Sequence, residues 1–163
     1  MGPSEKLSIV NEYRKSAPVD VAGLARALGI VVREKYLPDD LSGSIEPNGQ
    51  GGYAITVNAS HAVTRQRFTI AHELGHFLMH ESLIGSGIGD DRAYRSTSTG
   101  KYFNSNIGPK EETEANKIAA AILMPVDLVK ARKDQGVECP QRLAEEFGVS
   151  EHAMSIRLGV PYE

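Results

Sequence analysis

The sequence predicts an α+β fold in which a small, mostly antiparallel sheet packs on a helical core. Three observations carry this. Apolar residues recur at helical spacing near the start and again from about residue 62, the stretch between them breaks into short β-branched or alternating segments, and turn-forming residues separate those segments. One hydrophobic core can serve all 163 residues, and neither a repeat nor a shift in composition marks a boundary, so 1–163 reads as a single domain.

The elements follow in order. KLSIVNEYRKS and PVDVAGLARALG have helical patterns, with Pro18 suited to a first helical position and Gly29 to a C-terminal stop. IVVREKYL, SGSIE and GGYAITVN read as strands, divided by Pro47, Asn48 and glycines 49, 51 and 52, and their succession suggests a meander. Helical spacing returns from about Ala62 to Glu81. The polar, glycine- and serine-rich run from Gly85 to Pro109 reads as a long surface loop with at most a short strand. KEETEANKIAAAILMP is a helix ending at Pro125, and VDLVKARKDQG, CPQRLAEEFG and VSEHAMSIRL are short helices.

Bulk properties exclude several classes. No apolar run approaches the roughly 20 residues that span a bilayer, and MGPSEKLSIVNEYRKS lacks the apolar centre of a secretion signal, so the expectation is a cytoplasmic protein. A single cysteine, Cys139, forms no internal disulfide, in keeping with a reducing compartment. The net charge of −3 offers no field that would attract nucleic acid or an anionic membrane.

The chemistry is concentrated in RFTIAHELGHFLMH. On a helical wheel with Phe68 at zero, His72, His76 and Glu73 fall at about 40°, 80° and 140°, while Ile70, Ala71, Leu74, Phe77 and Leu78 lie between about 180° and 300°. One flank is therefore polar and the other apolar. Two imidazoles at i and i+4 are about 6 Å apart along the axis, close enough for both to reach one tetrahedral zinc ion, and Glu73 is placed to act as a general base beside it. His80 continues the row, but about 12 Å of rise from His72 removes it as a third ligand.

Composition alone yields such a motif with a chance on the order of one in a hundred, so a third ligand has to strengthen the reading. KEETEANKIAAAILMP offers three glutamates. Glu112 and Glu111 each lie about 50° from the centre of its apolar face and Glu114 about 110° away, so periodicity rejects Glu114 as the inward group and leaves Glu111 and Glu112 unseparated. A solvated acidic first turn accounts for the acids left over. Alanines 115, 119, 120 and 121 would let this helix approach the histidine helix closely, and Asn116 is placed to hydrogen-bond the carboxylate or a histidine ring.

Together, RFTIAHELGHFLMH and ExxANxxAAxxLMP resemble the ImmA/IrrE family of metallopeptidase-like proteins, and the order of elements resembles that family along essentially the whole chain. The resemblance implies a zincin-like, gluzincin-like fold and maps the family's ExxAN glutamate onto Glu112. It implies zinc held by His72, His76 and Glu112, with Glu73 as the catalytic base of an endopeptidase. Because better-known members of the family are linked to cleavage of XRE-type helix-turn-helix repressors, and related proteins occur as toxins beside XRE antitoxins, the implied partner is an XRE-family repressor or antitoxin on a separate chain. Mobile-element regulation, stress response and toxin-antitoxin pairing are all within that implication.

Several points stay open at the level of sequence. Tyr53, Tyr94, Tyr102, His61, Arg65 and Arg67 have the chemistry of an oxyanion donor, and none is assigned. An exposed edge at YAITVN would pair with an extended substrate, although an internal strand fits the pattern equally well. The alternative function is a zinc-containing interaction module or DNA-binding regulator without significant proteolysis, since LAEEFGVSEHAMSIRL has the outline of a helix-turn-helix. Charge argues against DNA. From Val137 to Glu163 five acidic residues face two arginines, a local net of −3.

Overall fold

The computed structural model describes residues 1–91 and 104–161. Its elements are α1 (Pro3–Tyr13), α2 (Val21–Ala27), β1 (Ile30–Lys35), β2 (Leu41–Pro47), β3 (Tyr53–Asn58), α3 (Val63–His80), β4 (Ile88–Asp91), α4 (Pro109–Leu123), α5 (Val126–Asp134), α6 (Pro140–Phe147) and α7 (Glu151–Leu158). The α+β class and the mostly antiparallel sheet are as the sequence predicts. One helix start differs. Pro18 lies ahead of α2, which begins after Asp20, because the Asp20 side chain accepts a hydrogen bond from Gly23 N at 3.0 Å and so satisfies one of the first turn's free donors.

The sheet has the order β1-β3-β2-β4, and it is not a meander. β2 and β3 form an antiparallel hairpin whose turn is closed by the Asn48 side chain, accepting from Gln50 N at 2.8 Å and Gly52 N at 3.1 Å. β4 adds to β2 antiparallel, and β1 lies parallel on the other side of β3. β3 is therefore an interior strand with both sides paired, which decides between the two readings of YAITVN in favour of the internal strand. Residues 36–40 must pass across the end of β3 to reach β2, and a buried side chain holds them there. Asn58, fully buried at the end of β3, donates from Nδ2 to the carbonyls of Leu37, Pro38 and Leu41, while its Oδ1 accepts from Leu37 N and Ser60 N.

α3 runs over β2 and β3 and packs on its other sides against α2 and α4. It comes close to the sheet because β2 presents Gly43 there: a Cβ at that position would stand 2.7 Å from Thr69 Cγ2. Between these layers sits a core that includes Leu24, Ile45, Ile55, Leu74 and Ile122, each no more than 1% exposed. Burial of each such side chain contributes about 1.5–3 kcal/mol. α1 is tied to the end of α3 by Lys6, whose ammonium sits 4.5 Å from the centre of the Phe77 ring and 2.8 Å from Glu81 Oε1.

Arginines fasten the remaining helices. Arg14 Nε donates to Ala121 O at 2.9 Å, and Arg157 donates to Met124 O through two nitrogens at 3.0 and 2.8 Å, so α1 and α7 both grip the C-terminal end of α4. Arg67 on α3 donates to Gly148 O at 2.9 Å and Phe147 O at 3.3 Å, holding the turn between α6 and α7. No helix among the described residues is long and apolar enough to cross a membrane.

Replacing Asn58 with Ala would strand the buried Leu41 carbonyl and part-buried backbone groups of the 36–40 crossing, and we expect urea denaturation to show a loss of about 3 kcal/mol. Asn58→Asp should lose a comparable amount, since a carboxylate cannot donate to the three carbonyls.

Candidate metal centre

α3 carries the first part of the site. His72, Glu73 and His76 stand on one flank, at 3%, 0% and 0% exposure, while Ala71 and Leu74 fill the core on the other. The two rings meet edge to face, with centroids 4.8 Å apart and planes at 85°. Their ligand atoms and a Glu73 carboxylate oxygen lie within 4.8 Å of one another, close enough for a single metal ion. Glu73 Oε1 is 3.8 Å from His72 Nε2.

The second part comes from α4. Its first turn begins at Pro109, and the Glu111 carboxylate accepts from Gly108 N at 3.0 Å, so Glu111 closes the helix start. Glu112 points the other way. Its Oε1 is 2.9 Å from His76 Nε2 and its Oε2 is 3.4 Å from His72 Nε2, so one carboxylate spans the two imidazoles. The structure thus separates the two glutamates that periodicity left together.

The opposite edges of the rings are also engaged. His72 Nδ1 donates to Asn116 Oδ1 at 2.7 Å, which orients that ring and leaves Nε2, the nitrogen that faces Glu112, as the one that can offer a lone pair to a metal. His76 Nδ1 meets His80 Nδ1 at 3.0 Å, and His80 Nε2 in turn lies 3.2 Å from Glu114 Oε1. Burial pushes the His76 imidazole below its ordinary pKa, with hydrogen bonding to Glu112 opposing, and the neutral ring is the form a metal requires. Two imidazole nitrogens and a carboxylate converging at such distances are a suitable donor set for zinc, and the residues fit the ion that the sequence implies.

Other candidates fall elsewhere. Tyr53 stacks edge-on against Phe77 with its hydroxyl 3.5 Å from Glu81, His61 meets the Asp39 carbonyl, Arg65 binds Ser42, and Arg67 holds the α6–α7 turn. Tyr94 and Tyr102 lie outside the described residues. The pairing of Glu114 with His80 escaped the sequence reading. Its signal was there in the spacing of His80 four residues after His76, but a wheel drawn for α4 alone cannot show what the neighbouring helix brings alongside.

Residues 25–159 match the family described as the IrrE N-terminal-like domain, a peptidase family. The chain belongs to this family. A solved structure described as a Mycobacterium tuberculosis transcriptional regulator has a similar fold, with a TM-score of 0.63 at 19% identity over 98% of this chain. The chain spans about half of that protein, 48% of its length. No curated protein sequence matches.

Within this IrrE N-terminal-like domain the approach of α3 to α4 depends on Gly75, which lies between the two histidines. A Cβ there would stand 2.9 Å from Ala115 O and 3.0 Å from its Cα, and both are backbone atoms that cannot swing aside. At an open helical position Gly→Ala gains about 1 kcal/mol. For Gly75→Ala we expect the opposite sign, a loss of about 1–3 kcal/mol read from the urea midpoint, because the two helices must move apart.

Proposed function

We propose that this chain is a zinc-dependent endopeptidase that cuts a specific cytoplasmic protein, an XRE-type helix-turn-helix repressor or antitoxin, and that residues 1–163 act as one domain. The observation that carries the reading is the convergence of His72 Nε2, His76 Nε2 and the Glu112 carboxylate from two helices, with the fully buried Glu73 beside them. A peptidase family and a donor set suited to zinc point the same way. The regulator partner is supported more loosely, by a structural neighbour described as a transcriptional regulator and by the family resemblance of the two motifs.

In this reading His72, His76 and Glu112 hold the ion. Bound there, zinc supplies a Lewis acid for the peptide carbonyl and lowers the pKa of water toward neutrality. Asn116 keeps the His72 ring turned so that Nε2 faces inward. Glu73 takes a proton from the attacking water as the new C–O bond forms, and hands it to the amine nitrogen as the C–N bond breaks. Burial of Glu73 keeps bulk water from competing for that proton.

The alternative, a regulator that binds DNA through the α6–α7 pair, has to contend with the acidic charge of that region and with a turn whose carbonyls are already taken by Arg67.

Co-expression with a candidate XRE-type repressor, followed by a blot for its fragments, tests the reading. Wild-type protein should cleave and carry one zinc per chain, and Glu73→Gln should keep the zinc while slowing cleavage by roughly 100-fold or more. Full proteolysis by Glu73→Gln would refute the assigned chemistry. Glu112→Ala should lose both zinc and cleavage, as should treatment of the wild type with a strong chelator.

A further inference from the structure

His76 is the first member of a row that leads away from the Glu112 side. Its Nδ1 is 3.0 Å from His80 Nδ1, the two ring centroids are 5.1 Å apart, and His80 Nε2 is 3.2 Å from Glu114 Oε1. His76 and His80 are buried, at 0% and 5% exposure, so water does not substitute freely within the row. Glu114 stands at its rim, with a side chain 30% exposed.

The row runs between two carboxylates, Glu112 beside His76 and Glu114 beside His80. Its direction is decided once a cation taken up between His76 Nε2 and Glu112 replaces the proton there and Glu114 is the acceptor that remains. Each neutral imidazole donates through one nitrogen and accepts through the other, whereas a carboxylate only accepts. Facing Glu114, His80 must place its proton on Nε2 and keep a lone pair on Nδ1. His76 then donates from Nδ1 to that lone pair, and its own lone pair on Nε2 is free to take a cation between it and Glu112. The reverse polarity would point His76 Nε2–H at Glu112, leaving no lone pair for a cation, and would set an unprotonated His80 nitrogen against Glu114.

We propose that Glu114, acting through His80, is a positioning residue for metal binding: it fixes the tautomer of His76 so that Nε2 is presented as a ligand. This rests on the zinc reading given under Proposed function. The same helix then serves both histidines by separate routes, since Asn116 Oδ1 does for His72 directly what Glu114 does for His76 through one intervening ring. Glu112 and Asn116 share one face of α4 and Glu114 reaches round from beside it, so that each contacts a member of the histidine row.

The test uses the full chain, zinc and a chromophoric chelator as competitor. Wild-type protein should bind one zinc, and nitrogen-15 shifts of the zinc-loaded protein should show His80 protonated on Nε2 and His76 on Nδ1. Glu114→Gln offers an amide that can either accept or donate, so the row loses its fixed direction: zinc affinity should fall about 10-fold, within the 10–100-fold range of such outer contacts. The His80 signal should then become a mixture of tautomers. The urea midpoint of the zinc-free protein should not move, because Glu114 is partly exposed and a merely structural role would show itself there. His80→Gln should weaken zinc as well. If the wild type binds zinc one to one and Glu114→Gln binds it equally tightly with unchanged histidine tautomers, the positioning role is wrong and the zinc reading stands. If the wild type binds no zinc, the zinc reading fails and takes the positioning role with it.

Discussion

The contact between Gly75 and Ala115 governs the geometry of the candidate site. Gly75 lies between His72 and His76, and Ala115 lies among Glu112, Glu114 and Asn116, so the point where the two backbones nearly touch is also the point around which every polar contact is arranged. Side chains as short as a carboxylate or an amide can span the gap only because no Cβ stands in it. The spacing of α3 and α4 is therefore a condition of the chemistry, and the apolar packing of Leu74, Ala119 and Ile122 around it holds that spacing.

The opposite face of α3 is equally constrained. Gly43 allows the helix to sit close above β2, and the β2–β3 hairpin, flanked by β1 and β4, gives it a stiff backing. A helix confined between a sheet and a second helix has little freedom to rotate, which keeps two buried imidazoles aimed at one carboxylate. Burial costs the His76 imidazole its water and favours the uncharged ring, so the same packing that orients His76 also prepares it for a cation.

Much of this was legible along the chain. The wheel for residues 62–81 separates the histidine flank from the core flank, and the alanines of α4 announce a close helix partner, because both are periodic features that each helix carries by itself. What could not be read depended on two elements at once. The strand order turns on one buried asparagine that holds a five-residue crossing, and nothing in Asn58 as a letter distinguishes it from a turn residue. Glu114 looked like part of a solvated first turn because its partner, His80, is on another helix. Pro18 suggested a helix start that the side chain of Asp20 provides instead.

Arg14 and Arg157 lie near opposite ends of the sequence, yet both spend their donors on the last carbonyls of α4, at Ala121 and Met124. A helix end held from two directions does not fray on its own. Amide protons in the last turn of α4 should exchange only when α1 or α7 detaches, so slow exchange there would report on segments more than a hundred residues apart in sequence. The two termini and the glutamate-bearing helix then open as one cooperative unit, and local motion is left to the parts of the molecule that lack such clasps.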